Sequence, residues 1–509
     1  MSDNPQGLTQ HLIENVRIGF TLLFITVAFV TWQLAVIIYN IYFHPLRHFP
    51  GPKLWIASCL VRHYYAIIGS FDEKIREFHL QYGEVVRFSP HELSFRTAAA
   101  WKDIYGHNRV QMPKGLFYPP DETPNISFSN DADHSRYRKS MSNAFSEKCL
   151  RQQEGLMKQY IDELIHKLRD VATSQTPTNM VKWYTLVGFD LIGDLAFGKS
   201  FGGLRDMTYH EWVANIFQFA KAGEVINMCR DYPWLLHIFR IVMKFSSDND
   251  ARQRQSDHAR TVSLERIHND DLHGRGDFMD SLLQTGKNQN LLSEDEVISN
   301  AGILLIAGAE TTSTALSGTT FWLLKTPAAL ARVTQEVRST FTSEEDINFI
   351  STSTKLPYLN ACLEEGLRRY PPISGILPRW TLSPTNISGY MVPPKSLVAV
   401  HQSAANWSDA NFHRPLDFCP ERWLPESTLN PQSPFYSDNR EAMQAFSVGP
   451  RNCIGRNLAY NEMRIILARV LWNFDLTLSP ESSSWDKQKA FAFWDKGPLI
   501  VKLQLRDEE

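Results

Sequence analysis

The sequence predicts a mainly α-helical protein with smaller β-sheets, preceded by one N-terminal transmembrane helix. Three observations carry this: an uncharged stretch of 26 residues near the N-terminus, one early pair of short strand-like runs, and a long apolar helical pattern between Ser293 and Lys325. The 509 residues are 43% hydrophobic and 21% charged, an ordinary globular composition that can bury a large core. A net charge of −3 lacks the basic excess that nucleic-acid phosphates favour, so no nucleic-acid partner is expected.

Residues 1–17 read as a lumenal N-terminus and 18–43, "IGFTLLFITVAFVTWQLAVIIYNIYF", as the membrane span, longer than the roughly 20 residues a spanning helix needs. A cleaved signal peptide would have a shorter apolar region, of about 7 to 15 residues, and a small-residue cleavage site. Tyr39 and Tyr42 sit where an interfacial belt would be, and Arg47, Lys53 and Arg62 follow the span, which predicts a body facing the cytoplasm. Residues 44–55, with Pro45, Pro50 and Pro52, read as a stiff hinge, because proline fixes φ and stops the helix.

Residues 56–509 carry no repeat, low-complexity tail or second composition class, so one large domain is the simplest partition. Its six cysteines are scattered without a CxxC pair, which fits a reduced compartment. The N-x-S/T triplets at Asn125, Asn386 and Asn406 are short enough to arise by chance. Gly83 to Phe95 has the apolar runs of a β-hairpin about Ser89 and Pro90. Leu116 to Asn130 is loop-like, with aromatics that could cover a pocket, and the polar stretch Ser246 to Gly276 closes one helical section.

Ser293 and Glu296 form a capping-box pattern, and Thr326-Pro327 stops the helix that follows after about 32 residues, or about 48 Å. Its middle, "GILLIAGAETTSTAL", is apolar nearly all round and therefore buried, yet holds Glu310, Thr311 and Thr312. Burying such groups costs free energy unless they have partners or chemistry to perform. In one reading Thr311 and Thr312 bond back to Ala307 and Gly308 while Glu310 reaches a buried cation. In the other, the diverted carbonyl beside Gly308 opens a polar notch for dioxygen and a proton-carrying water.

In "FSVGPRNCIG", Phe446 to Gly455, a lone thiol stands among glycines. Cys453 can be an inert buried cysteine, a nucleophile with a histidine base, a zinc ligand lacking companions at the usual spacing, or an axial thiolate on haem iron, which needs one cysteine only. The flanks favour the last. Gly449 and Gly455 allow close backbone approach to a flat macrocycle, and a helix from Gly455 onward would stabilise a thiolate at its start. Arg451 supplies a cation for a carboxylate, and Phe446 a cover for the sulfur.

These residues resemble the haem-binding loop of the cytochrome P-450 monooxygenases, F-x-x-G-x-R-x-C-x-G, matched at Phe446, Gly449, Arg451, Cys453 and Gly455. "AGAETT" at Ala307 to Thr312 is similar to the family's oxygen-activation segment. "EEGLRRYPP" and "FCPERW" carry Glu365, Arg368 and Arg422, which resemble its Glu-Arg-Arg network. "DHSRYRK" points to Arg138 as a propionate contact, with His134 where the family often has Trp, and "ILPRW" points likewise to Arg379.

The resemblance implies the cytochrome P-450 fold and a haem-binding catalytic domain over 56–509, in the style of membrane-bound fungal members of secondary metabolism. It also implies haem b held by Cys453, whose electron donation favours O–O cleavage. Thr311 fed by Glu310 would relay protons, and an apolar substrate would lie against Ile303, Ile306, Ala307, Ile373, Ile376 and Phe493. No dinucleotide cradle is present, so an NADPH-cytochrome P-450 reductase, or a cytochrome b-type donor beside it, is implied as partner at the endoplasmic reticulum membrane, with the catalytic domain facing the cytoplasm. A haem-thiolate isomerase or dehydratase that consumes no dioxygen, and a non-catalytic membrane haem sensor or carrier, are the alternatives.

Overall fold

The structure is a computed structural model that describes residues 5–107, 110–116, 118, 122–209, 211–244, 260–269, 275–284 and 292–506. Phe117, Pro119 and Pro120 of the expected pocket-covering loop, and most of the polar stretch Ser246–Gly276, lie outside the described residues.

A helix runs from Pro5 to Ile38 and continues through one π-turn, Tyr39–Phe43, so residue 18 is no helix boundary. Within it Asn15–Phe43 is long and apolar enough to cross a membrane, and its large side chains, such as Phe20, Phe24 and Trp32, are exposed. The proline segment after it docks on the body. Leu46 is fully buried, the Arg87 N–H donates to the Pro50 carbonyl at 2.8 Å, and a Cβ at Gly51 would run into the Arg87 carbonyl.

The expected hairpin forms from Val85–Ser89 and Glu92–Phe95. Its second strand runs parallel to Leu397–Val400, with Glu92 opposite Leu397, and Arg379–Trp380 closes the sheet antiparallel to that strand. All four residues of Leu397–Val400 are buried, as a strand covered on both faces requires. A second sheet joins Thr178–Asn179, Ile500–Leu505 and Phe474–Leu478, and a third pairs Thr385–Ile387 with Tyr390–Val392.

Helices make up the rest. The capped helix spans Glu294–Lys325, with both capping-box bonds between Ser293 and Glu296 present. It crosses the helix Met180–Phe197, buried on nearly every side. Small residues let the two approach: a Cβ on Gly188 would stand 3.2 Å from the Ala309 carbonyl oxygen, and one on Gly308 2.8 Å from Ile192 Cδ1. Asn125 and Asn406 are buried and cannot accept a glycan in the folded chain, whereas Asn386 is exposed. All six cysteines are free.

Candidate active site

Where the crossing helix meets the loop before helix Arg456–Asn473, the chain encloses a cavity of about 740 Å³. Ile303, Ile306, Ala307, Ile373, Ile376 and Phe493 all line it, and Ile373 pairs with Phe493 through an isolated β-bridge. Cys453, Phe446, Arg451, Arg138, His134, Arg379 and Thr311 share the lining.

The Cys453 loop is held from within. The Cys453 N–H donates to the Phe446 carbonyl at 2.9 Å, and Phe446 packs on Tyr460 at 5.1 Å. Gly449 has φ +80°, and a Cβ there would be driven into the Tyr105 carbonyl, so this glycine is required twice over. At Gly455 a Cβ would meet only Phe145 at 3.8 Å and Cys453 Sγ at 3.9 Å, so the room beside this glycine is toward the cavity, which it lines.

The sulfur is open to the cavity while protein encloses it on its other sides. That burial pushes the thiol up, against the pull of the Gly455 N–H, Arg138 and Arg456. The helix begins at Arg456, and the N–H of Gly455 at its start pulls the thiol down, against burial; a soft cation on the sulfur would hold it as the thiolate.

Basic groups crowd beside it. Arg138 donates to the Asn452 carbonyl and side chain, both at 2.6 Å. Arg451 pairs with Asp131 at 2.6 Å and donates to the Ser129 carbonyl, while its Nη1 is buried without a partner. Arg379 reaches the Met112 carbonyl at 3.4 Å. Lys114, which nothing in "QMPKG" marked, joins them and donates to the Ser127 carbonyl. Burial, then Arg379 and Arg451, lower Lys114 to about 7. Burial, then Arg451, Lys114 and Arg138, lower His134 to about 4, so that histidine is neutral near pH 7 and offers a single N–H.

An orphaned guanidinium nitrogen and a cation cluster with Asp131 as its near counter-charge fit a group bearing two carboxylates. The open sulfur fits an iron ligand. The donor set therefore suits a haem.

Glu310 departs from the expected relay. It does not line the cavity; its carboxylate forms a fully buried ion pair with Lys496, which also donates to Thr314. The reading in which Glu310 reaches a buried cation is the one observed, because a buried carboxylate is cheapest beside a charge. Thr311 bonds back to the Ala307 carbonyl at 2.5 Å, also as that reading has it. Thr312 instead lies beside Glu462, whose carboxyl burial pushes up to about 8.

Glu365, Arg368 and Arg422 meet in full burial. Arg368 grips Glu365 with bonds of 2.7 and 2.8 Å, Arg422 Nε stands 3.1 Å from Glu365 Oε2, and Trp423 Nε1 donates to the same oxygen at 2.8 Å. Asp438 closes the set by pairing with Arg422.

Residues 50–502 match the cytochrome P450 family. The chain is similar to the trichothecene C-4 hydroxylase of Trichoderma arundinaceum, 49% identical over 474 residues, 92% of this chain and 94% of that protein. It is similar also to cytochrome P450 monooxygenase olcB of Penicillium canescens, 49% identical over 92% of this chain and 96% of olcB. With cytochrome P450 monooxygenase dtxS2 of Metarhizium robertsii the identity is 40%, over 92% of this chain and 91% of dtxS2.

Proposed function

The chain belongs to the cytochrome P450 family, and from that premise we propose that it hydroxylates an apolar small molecule of fungal secondary metabolism. Members of the family hold haem through a cysteine thiolate and act on hydrophobic substrates with electrons from a redox partner. Here the partner is an NADPH-dependent membrane reductase, and the N-terminal span anchors the enzyme in the endoplasmic reticulum with its body in the cytoplasm. The carrying observation is that Cys453 and Thr311 share one apolar-walled cavity flanked by a cationic cradle.

Bound haem supplies the activation of dioxygen. Cys453 would hold the haem iron, and Arg138, Arg451, Arg379 and Lys114 would bind the two carboxylates of the macrocycle, with His134 as a neutral donor. Gly449 lets the loop pass under Tyr105, and Phe446 keeps water from the sulfur. Thr311 would hold a cavity water through its oxygen lone pairs, its own proton being given to the Ala307 carbonyl, so that this water is the proton donor within the cavity. Glu365, Arg368 and Arg422 brace the segment on which the loop rests. Ile303, Ile306, Ala307, Ile373, Ile376 and Phe493 hold the substrate against bulk water.

One observation favours a second reading. With Glu310 held by Lys496, the proton relay is shorter than expected, as an isomerase or dehydratase that consumes no dioxygen would tolerate. The reduced protein with carbon monoxide should show the red-shifted band from which the family takes its name, and Cys453→Ser should lose that band while remaining folded. Product should then appear with NADPH and dioxygen consumed in equal amounts. Turnover without either would replace the hydroxylase reading by the second.

A further inference from the structure

Three carboxylates line the cavity: Asp72, Glu122 and Glu224. Asp72 is engaged by Arg76 at 3.0 Å and by the Ser403 hydroxyl at 2.6 Å, and Glu122 also has a partner. Glu224, in the helix Glu211–Asp231, makes no hydrogen bond or ion pair among the described residues. It lies at the end of the cavity bounded by Arg62, Ala66 and Phe71.

Its neighbouring arginines have other carboxylates beside them. Arg230 is met by Glu92 at 2.7 Å and by Asp231 at 3.0 Å, whereas Arg62 stands 3.7 Å from Glu92 and keeps its Nε buried without a hydrogen-bond partner. Glu224 is a surplus carboxyl among apolar walls, and burial pushes it up despite Arg62 and Arg230. An unpartnered carboxyl half-buried in an apolar lining carries a cost that a ligand's hydrogen bond removes.

Resting on the P450 reading above, we propose that Glu224 is a specificity residue that receives a hydroxyl group on the substrate, away from the carbon presented to the iron. The substrate class is thereby narrowed to an apolar skeleton that already carries an alcohol. A protonated amine would suit a lone carboxylate, but the Arg62 guanidinium at the same end of the cavity repels it. An alcohol can accept from Arg62 as it donates to Glu224.

Probes anchored at the iron test this without knowledge of the substrate. A chain-length series of N-alkylimidazoles ending in a hydroxyl, a methyl ether or an ammonium would be titrated spectroscopically into the full-length holoenzyme. At a chain length that reaches Glu224, the alcohol should bind about tenfold more tightly than its ether, the change expected for one hydrogen bond to a half-buried carboxyl. Glu224→Leu should equalise the two, and Glu224→Gln should keep part of the preference.

Equal binding by the wild type at every length, a preference that survives in Glu224→Leu, or an ammonium tail that outcompetes the alcohol would each overturn the assignment. The wild-type series decides even where Glu224→Leu fails to fold. Absence of the carbon monoxide band in the wild type would refute the P450 reading instead, whereas an intact band without alcohol preference refutes only the role of Glu224.

Discussion

Thr311 donates its hydroxyl proton to the Ala307 carbonyl at 2.5 Å and still stands on the cavity wall, so its oxygen keeps lone pairs for a cavity water. Its neighbour Glu310 looks the other way, into the ion pair with Lys496. Adjacent residues of one helix thus divide between the cavity wall and a buried ion pair. Thr311→Ala removes the hydroxyl without touching that pair, and should lower product formation about a hundredfold while NADPH oxidation continues. Thr311→Ser should recover most of the yield. An unchanged ratio of product to NADPH would remove Thr311 from proton handling.

The crossing helix owes its start to Glu296. One carboxylate oxygen accepts the Ser293 N–H at 2.8 Å and Arg136 Nη1 at 3.0 Å, and the other accepts Arg136 Nη2 at 2.5 Å and the Tyr137 hydroxyl at 2.9 Å. Arg136 is the largest cause that holds Glu296 down at about 2 against an ordinary 4.5, with burial opposing and Ser293 and Tyr137 assisting. A folded value below the unfolded one means that this stabilisation is complete above pH 4.5 and is lost as pH falls toward 2. Glu296→Gln should therefore unfold at lower urea than wild type at pH 7, and the gap should narrow on acidification below 4.5. A gap that widens with acid would contradict the assignment. The capping box was legible in "SEDE", because its two bonds are local; Arg136 and Tyr137 come from 160 and 159 residues away and leave no local mark.

At the scale of the molecule, the N-terminal helix and the body meet through few groups: the Asn40 side chain donates to the Ala57 carbonyl at 3.0 Å, and Leu46 enters the core around the hairpin sheet. The span itself exposes its apolar side chains along its length. Removal of residues 1–38 should release the protein from the membrane fraction and leave its thermal midpoint and carbon monoxide band in place. A truncated chain that loses the band would show that the helix belongs to the catalytic body.

Much of the candidate site was legible because it is local in sequence. The Cys453 loop, the Glu365–Arg368 spacing, the uncharged span and the capped crossing helix each announce themselves within a few turns of chain, since backbone turns, helix faces and membrane thickness impose short periods. Other features needed the folded chain, because charge and burial act through space. That Glu310 faces a cation depended on Lys496, 186 residues further on. That Lys114 joins the cradle, and that Gly449 passes where no Cβ would fit, depended on the strand carrying Arg379 and on Tyr105. That Glu224 faces the cavity while Arg230 is held by Glu92 and Asp231 depended on a balance of charges that no stretch of sequence contains.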